Sequence, residues 1–391
     1  MLAELLYLFL AAIAFFVVIS ALVFFHELGH YSVARAFGMK VERFSIGFGK
    51  AIWQRRSKSS GTNWMISRIP LGGYVKFAGD AGAASNPDQA ALEQIRADHG
   101  DVSDIFHFRP VWQRALVVLA GPIANFILAA ILFAIAVMWV GTTHPEALIG
   151  EVEAESAAAQ AGILPGDKIV AMDGRDISDW VDMARHIQLR GNTPIETVIE
   201  RGGRLETIIV VPRMIEDKDF IGGRMTRGKF GVGLSPDAEM ETRTYNPVTA
   251  LMFGTQQVGN TISATGHYIG RIFNGKEDGK QLGSVGRIAT MVGKSTVDVA
   301  RTEIPVSDKV KAFTFRMLQL AAAISVALGF ANLIPIPMLD GGHLMFYAYE
   351  AVAGKPLSQK KQELGFRVGM AVLLALFVVL TINDIGYFRS L

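Results

Sequence analysis

The chain of 391 residues contains no cysteine. Disulfides are excluded, and so is any zinc site built on thiolates. A bound metal has to be held by His, Asp, Glu or main chain. The redox compartment stays open on this evidence. A charge excess is also lacking: 38 Lys and Arg stand against 36 Asp and Glu, a net +2. Bulk charge therefore makes no case for a nucleic-acid partner. Charged residues of either sign make up only 19% of the chain. Internal repeats are missing too, and these are what a transporter built from paired broken helices would show.

What is present is apolar. Half of the residues are hydrophobic and the mean hydropathy is +0.31, high for a soluble protein. Four segments lack charge for membrane-like lengths: Leu5 to Phe25, Ala115 to Thr143, Met317 to Leu339, and Val368 to Asn383. A helical span needs about 20 residues. The fourth segment is short, and Leu364, Gly365 and Phe366 before Arg367 extend it. The leader MLAEL has no Lys or Arg and no small-residue cleavage site follows, so the first segment reads as a retained span and not a signal peptide. The predicted layout is a membrane core in two halves, 1–145 and 312–391. The first half holds spans at about 5–30 and 115–143, the second at about 317–340 and 364–384.

Lys and Arg crowd the loop between the first two spans and return as Lys355, Lys360, Lys361 and Arg367 between the last two. Those loops are expected on the cytoplasmic side, with the long segment from about 144 to 311 outside. Spans one and three then run in the same direction. They carry FFHELGH (residues 24 to 30) and MLDGG (338 to 342) to similar depth, near the cytoplasmic face. Ionisable groups at such depth are expensive and usually functional.

His26 and His30 are spaced i, i+4, so one helix face presents both imidazoles to a metal. Glu27 beside them is the natural base to take a proton from an attacking water. A zinc hydrolase needs a third protein ligand and an open position. Asp340 is the carboxylate bordering span three at the matching depth, and His343 is its rival for that place. As the alternative, His343 supports the ligands from behind. Pro335 and Pro337 in ANLIPIPMLDGG lack N–H donors and disfavour helix before them, so the span is broken just before Asp340. Broken helix at membrane depth is tolerated where it lines a cavity. Asn332 is placed to donate to a scissile carbonyl or its oxyanion, or else to bond between helices.

HELGH in the first span, GPIANFILA (121 to 129) opening the second, and NLIPIPMLDGGHL (332 to 344) closing the third together resemble the site-2 protease family. The order of parts is similar to bacterial enzymes of the regulator-of-sigma-E type, over nearly the whole chain. The resemblance implies an intramembrane zinc metalloprotease of the bacterial inner membrane. His26, His30 and Asp340 would hold Zn2+, Glu27 would be the catalytic base, and Asn332, Pro335 and Pro337 would bind or position substrate. It further implies regulated intramembrane proteolysis: a single-span membrane protein, of anti-sigma-factor type, is cut within the bilayer after a first external cut. Signal-peptide remnants are plausible further substrates. The other reading is a catalytically inactive membrane scaffold that binds peptides.

Residues 41–79 alternate short apolar runs with glycines and polar turns, which predicts β-hairpins. In the family the matching region is a membrane re-entrant β-loop. A strand edge there could hold an unwound substrate by β-addition. Residues 146–214 resemble a periplasmic PDZ domain: strand LIGEV, a helix around Trp180 to Leu189, and a hairpin turning at Gly202–Gly203. It would bind extended peptide or exclude bulky substrates. The expected fold is thus an α-helical multi-pass membrane protein with a re-entrant hairpin and an inserted α+β PDZ domain. Residues 222–236 read as a strand pair outside that domain, within an extracytoplasmic stretch 215–311. An amphipathic surface helix follows from about Pro247 to Phe273. Two departures stand out: relatives of this type often carry two PDZ modules, and Ser284 stands where the family often has proline.

Overall fold

The computed structural model describes residues 2–80, 82, 89–98, 102–218, 224–275, 279, 283, 287, 290 and 305–389. Its elements in chain order begin with α1 (Leu2–Ala36), β1 (Val41–Arg56), β2 (Asn63–Phe77), α2 (Gln89–Asp98) and α3 (Val111–Val140). Next come β3 (Thr142–Pro145), β4 (Ile149–Val152), α4 (Ala157–Ala161), β5 (Lys168–Met172), β6 (Arg175–Asp176), α5 (Trp180–Gln188), β7 (Ile195–Arg201) and β8 (Arg204–Val210). The rest are β9 (Arg213–Lys218), β10 (Arg224–Lys229), β11 (Val232–Leu234), β12 (Met240–Arg243), α6 (Pro247–Phe273), α7 (Val306–Leu333), α8 (Asp340–Ala353) and α9 (Gln359–Phe388). They divide into two compact units. The first holds residues 1–135, 251–262 and 288–379; the second holds 136–250, 263–287 and 380–391.

Among the described residues, four helical stretches are long and apolar enough to cross a membrane: Phe15–Ala36, Val111–Val140, Val306–Leu333 and Gln359–Tyr387. Their apolar side chains point outward as well as inward; Val17, Ile127 and Phe377 are all exposed. A helix that is apolar all round is one whose solvent is lipid. Within the first unit, small residues bring helices onto α3. A Cβ on Gly29 of α1 would lie 2.8 Å from the Ala124 Cβ, and one on Gly329 of α7 would lie 2.9 Å from the Phe126 ring. Gly254 of α6 abuts the Ala130 backbone in the same way. Close backbone approach at small residues is how helices associate where lipid removes the hydrophobic drive.

The third span ends earlier than its charge-free run. The sequence expectation carried it to about 340; α7 stops at Leu333, and Asp340 instead opens α8. The two prolines explain the difference, since neither can donate to the helical ladder. The intervening loop holds Met338 at φ 96, a left-handed backbone that non-glycine residues seldom adopt. A Cβ at Gly342 would meet the Pro337 Cα at 2.6 Å, and Gly341 packs as tightly against the Leu333 carbonyl carbon. The two glycines of LDGG let the first turn of α8 sit directly on this loop.

β1 and β2 pair antiparallel from Val41↔Phe77 to Arg56↔Asn63. The ribbon is folded back on itself, so Phe44 registers with both Val75 and Trp64, and Ser45 with both Tyr74 and Met65. Segment 73–76 becomes one edge of the resulting small sheet and segment 53–56 the other. Aromatic contacts fasten the sheet to α1: Phe44 stacks on Trp64 at 4.4 Å, and Tyr31 meets both edge-on at 5.8 and 5.2 Å.

The second unit is built on a four-stranded sheet in the order β6-β5-β7-β8. Hairpin β7–β8 turns at Gly202 and Gly203, whose φ of 56 and 76 suit glycine. The sheet and helices α4 and α5 share a core that includes Ile163, Ile169, Met183, Ile195 and Phe230. Phe230 carries this core beyond residue 214. β11 pairs with β4, so residues 230–234 complete this unit and do not lie outside it. α6 runs over the expected range and opens with an Asn246–Thr249 capping box. Ser284 lies outside the described residues.

Asp167, almost wholly buried, accepts from Arg201 through both oxygens at 2.7 Å and from the Leu164 N–H at 2.8 Å. Burial would lift its carboxyl; Arg201 and the Leu164 N–H outweigh that and hold it below the ordinary carboxylate value. Its stabilisation is therefore present above about pH 4 and lost as pH falls through the lowered value. Asp167→Asn should destabilise this unit by about 1–3 kcal/mol at pH 7, with a smaller gap at pH 3. Calorimetric unfolding of both proteins at the two pH values checks this.

Candidate metal centre

The HELGH histidines fall on the helical part of α1 that the β-sheet and α3 enclose. Both are buried, at 7% and 9% exposure. Their Nε2 atoms lie 3.2 Å apart. The Asp340 Oδ2 lies 3.2 Å from the His26 Nε2 and 3.6 Å from the His30 Nε2. Three ligands at tetrahedral corners with bonds of about 2.0–2.1 Å stand about 3.3 Å from one another. The observed triangle matches that. Asp340 Oδ2 is also buried with no hydrogen-bond partner, a costly state for a carboxylate oxygen unless a cation meets it. Two neutral imidazoles and one carboxylate are the hard and borderline donors zinc accepts. The residues fit the ion.

α3 supplies the back wall. Val117, Gly121 and Asn125 recur every fourth residue and so share one face. The His30 Nδ1–H donates to the Val117 carbonyl at 2.9 Å. Gly121 faces both rings so closely that a Cβ there would overlap His30 and stand 2.9 Å from the His26 Cε1. The Asn125 side-chain amide lies 3.0 Å from the His26 Nδ1.

Glu27 lies beside the pair, next to Val75 of β2. It lines a cavity of about 240 Å³ together with both histidines, Asp340 and Asn332. The outer edge of the folded ribbon borders the same space, through Gly72, Gly73, Tyr74 and Val75. A Cβ on Gly73 would lie 3.2 Å from the Glu27 Cγ, so glycine there keeps the floor open.

The residues singled out in the sequence separate at this point. His26, Glu27, His30, Asp340 and Asn332 converge. His343 also lines the cavity, yet it is not in the three-residue cluster; its ring packs 5.7 Å from Phe366. Pro335 and Pro337 are not among the described lining residues. Pro335 is exposed, and Pro337 buttresses α9, where its side chain would stand 3.0 Å from a Cβ on Gly369. Gly121 and Asn125 carried no predicted role. Their i, i+4 spacing with Val117 was visible, but nothing local says that this face meets the histidines.

Buried imidazoles, a carboxylate and a neighbouring glutamate, opening on a cavity among apolar helices, define a membrane-embedded metallohydrolase. Comparison with known proteins gives the family. The chain matches peptidase family M50 over residues 14–376, and it belongs to that family, the site-2 proteases. It is 40% identical over 375 residues, 94% of each chain, to Metalloprotease MmpA of Caulobacter vibrioides. It is 39% identical over 376 residues to Atu1380 of Agrobacterium fabrum, covering 96% of this chain and 95% of the relative. R01501 of Rhizobium meliloti is likewise 39% identical over 376 residues, at 95% and 96% coverage. The latter two carry the name of zinc metalloproteases. The chain is a zinc metalloprotease and a multi-pass membrane protein.

Proposed function

We propose that this enzyme cuts single-span membrane proteins inside the bilayer, with His26, His30 and Asp340 as zinc ligands and Glu27 as general base. The observation that carries the reading is the triangle of ligand atoms beside a glutamate in one cavity among apolar helices. Zinc, when bound, supplies the positive charge that acidifies the attacking water and polarises the scissile carbonyl. Glu27 takes the proton from that water and passes it to the leaving amine. The Glu27 carboxylate borders the cavity that the ligands line. Asn332, which lines the same cavity, donates its amide to the developing oxyanion.

A transmembrane helix hides its peptide bonds in its own ladder, so the substrate must be unwound before it can react. The free edge at Gly72–Val75 offers backbone groups for an added strand, and the ribbon that carries it re-enters the membrane. Pro335 and Pro337 act by shaping the loop that delivers Asp340, and through it the substrate wall. The second unit acts as a PDZ domain in the periplasm, binding extended peptide or excluding bulky external domains. The enzyme sits in the bacterial inner membrane with its site toward the cytoplasm. Its substrates are of the anti-sigma-factor type after a first external cut, and signal-peptide remnants.

The test uses purified full-length protein in detergent and a tagged single-span substrate, with zinc measured in parallel. Asp340→Asn should lower zinc affinity and end cleavage, whereas His343→Ala should cost less zinc affinity than Asp340→Asn does. Wild type that binds zinc but cuts no membrane span, in the presence of several such substrates, would favour the inactive scaffold. Equal zinc binding by the Asp340 variant would remove Asp340 from the ligand set.

A further inference from the structure

Asn125 has no part in the chemistry proposed above, yet its side chain is wholly buried against a metal ligand. Its Nδ2 lies 3.0 Å from the His26 Nδ1. Its Oδ1 is buried with no hydrogen-bond partner. The first conflicts with metal binding at His26, and the second leaves a buried acceptor unused. An imidazole that gives its Nε2 lone pair to a cation carries its proton on Nδ1. That N–H needs an acceptor, and an amide NH2 cannot be one. A half-turn of the amide about its Cβ–Cγ bond puts the acceptor against His26 and turns the NH2 group to the place the oxygen held. Oδ1 then takes the place of Nδ2, 3.0 Å from the His26 nitrogen, and the orphaned oxygen gains its donor. Which amide atom is oxygen follows from the bonding network, and here the network calls for oxygen.

The side chain has little room to leave. The Asn125 carbonyl accepts from the Ser325 Oγ at 2.8 Å, and a Cβ on Gly329 would lie 3.2 Å from the Asn125 Cβ. α7 thus closes over it. We propose that Asn125 is a positioning residue whose Oδ1 accepts the His26 Nδ1–H and fixes the tautomer that presents Nε2 to zinc. The inference rests on the reading of His26 as a zinc ligand. α3 then serves both histidines, through the Val117 carbonyl for His30 and the Asn125 side chain for His26. Only the second of these can be removed by substitution.

Zinc affinity, read by chelator competition on the purified full-length protein, is the test. Partners behind a metal-binding histidine typically change affinity about 10–100-fold. Asn125→Leu and Asn125→Ala, which have no acceptor, should both weaken zinc by that factor. Asn125→Asp keeps an acceptor and should stay within a few-fold of wild type. A packing role alone predicts a different order, with Leu, close in volume, tolerated better than Ala and Asp no better than Leu. Unfolding of the zinc-free proteins identifies any variant that fails to fold; if Leu fails, the Ala and Asp pair still decides. Equal zinc affinity in wild type and Ala, or loss in Asp as great as in Ala, overturns the proposal. His26→Gln runs alongside: if it leaves zinc binding unchanged, the ligand reading itself has failed.

Discussion

Glu27→Gln should leave the protein folded and zinc-loaded, with cleavage of a single-span substrate reduced about 10²–10⁴-fold. The amide matches the carboxylate in size and shape, so it can occupy the same place. Neither histidine ring nor Asp340 depends on Glu27 for its position, since His30 is held by Val117 and His26 faces Asn125. What disappears is basicity. Without it the attacking water loses the base proposed for it, and the leaving amine loses the donor that base becomes. Initial rates of cleavage in detergent, with zinc content measured on the same preparation, give both halves of the result. A variant that retains more than a tenth of the wild-type rate would show that Glu27 is not the base. Loss of zinc together with activity would mean that Glu27 helps to hold the site, a different role.

The second large effect is expected from a single methyl group. Gly121→Ala places a Cβ where the His30 ring already is, and 2.9 Å from the His26 Cε1. α3 cannot back away cheaply, because Gly29 of α1 is already in contact with Ala120 and Ala124 on the same interface. Packed interiors transmit such overlap and do not absorb it. The imidazoles must turn, and the triangle of ligand atoms opens. A displacement near 1 Å at a reacting centre can cost about 100-fold in rate. Zinc affinity and cleavage should both fall by at least that factor, while the helices persist. Gly259→Ala on α6 is the control, because a Cβ there meets nothing within 4 Å. It should leave both quantities unchanged, since alanine in a helix is at least as favourable as glycine. Wild-type zinc affinity in Gly121→Ala would show that the wall yields and that glycine is not required there.

Several features were legible from local rules. An i, i+4 pair on a helix shares a face whatever surrounds it, so His26 and His30 could be read together. Charge-free runs of span length follow from the cost of charge in lipid. Asp340 could be matched to the histidines by depth, because parallel spans impose it. The range of α6 and the turn at Gly202–Gly203 follow from amphipathic spacing and from glycine's conformational freedom. The other features rest on pairings distant in sequence. Phe230 joins a core begun at Ile149 because β11 pairs with β4; residues 222–236 carry no mark of that partner. Residues 41–79 predict β-hairpins, and long-range pairing alone sets how the ribbon β1–β2 doubles back so that one edge borders the cavity beside Glu27. Pro337 was grouped with substrate contacts for its place in the motif, and its packing against α9 could not be inferred from that.

By itself, then, the sequence determined the kind of chemistry and its setting. The side chains that can ligate zinc and move a proton are named by type and short-range spacing, and lipid-length apolar runs put them in a membrane. Only the tertiary structure decided which atoms meet. Asp340 and not His343 completes the triangle, Gly121 makes room for it, Asn125 stands behind His26, and a strand edge lies alongside. The reason is physical. Residue type and helical period act over a few residues, whereas a tetrahedral site requires distances of about 3.3 Å between helices far apart in the chain, and packing alone sets those.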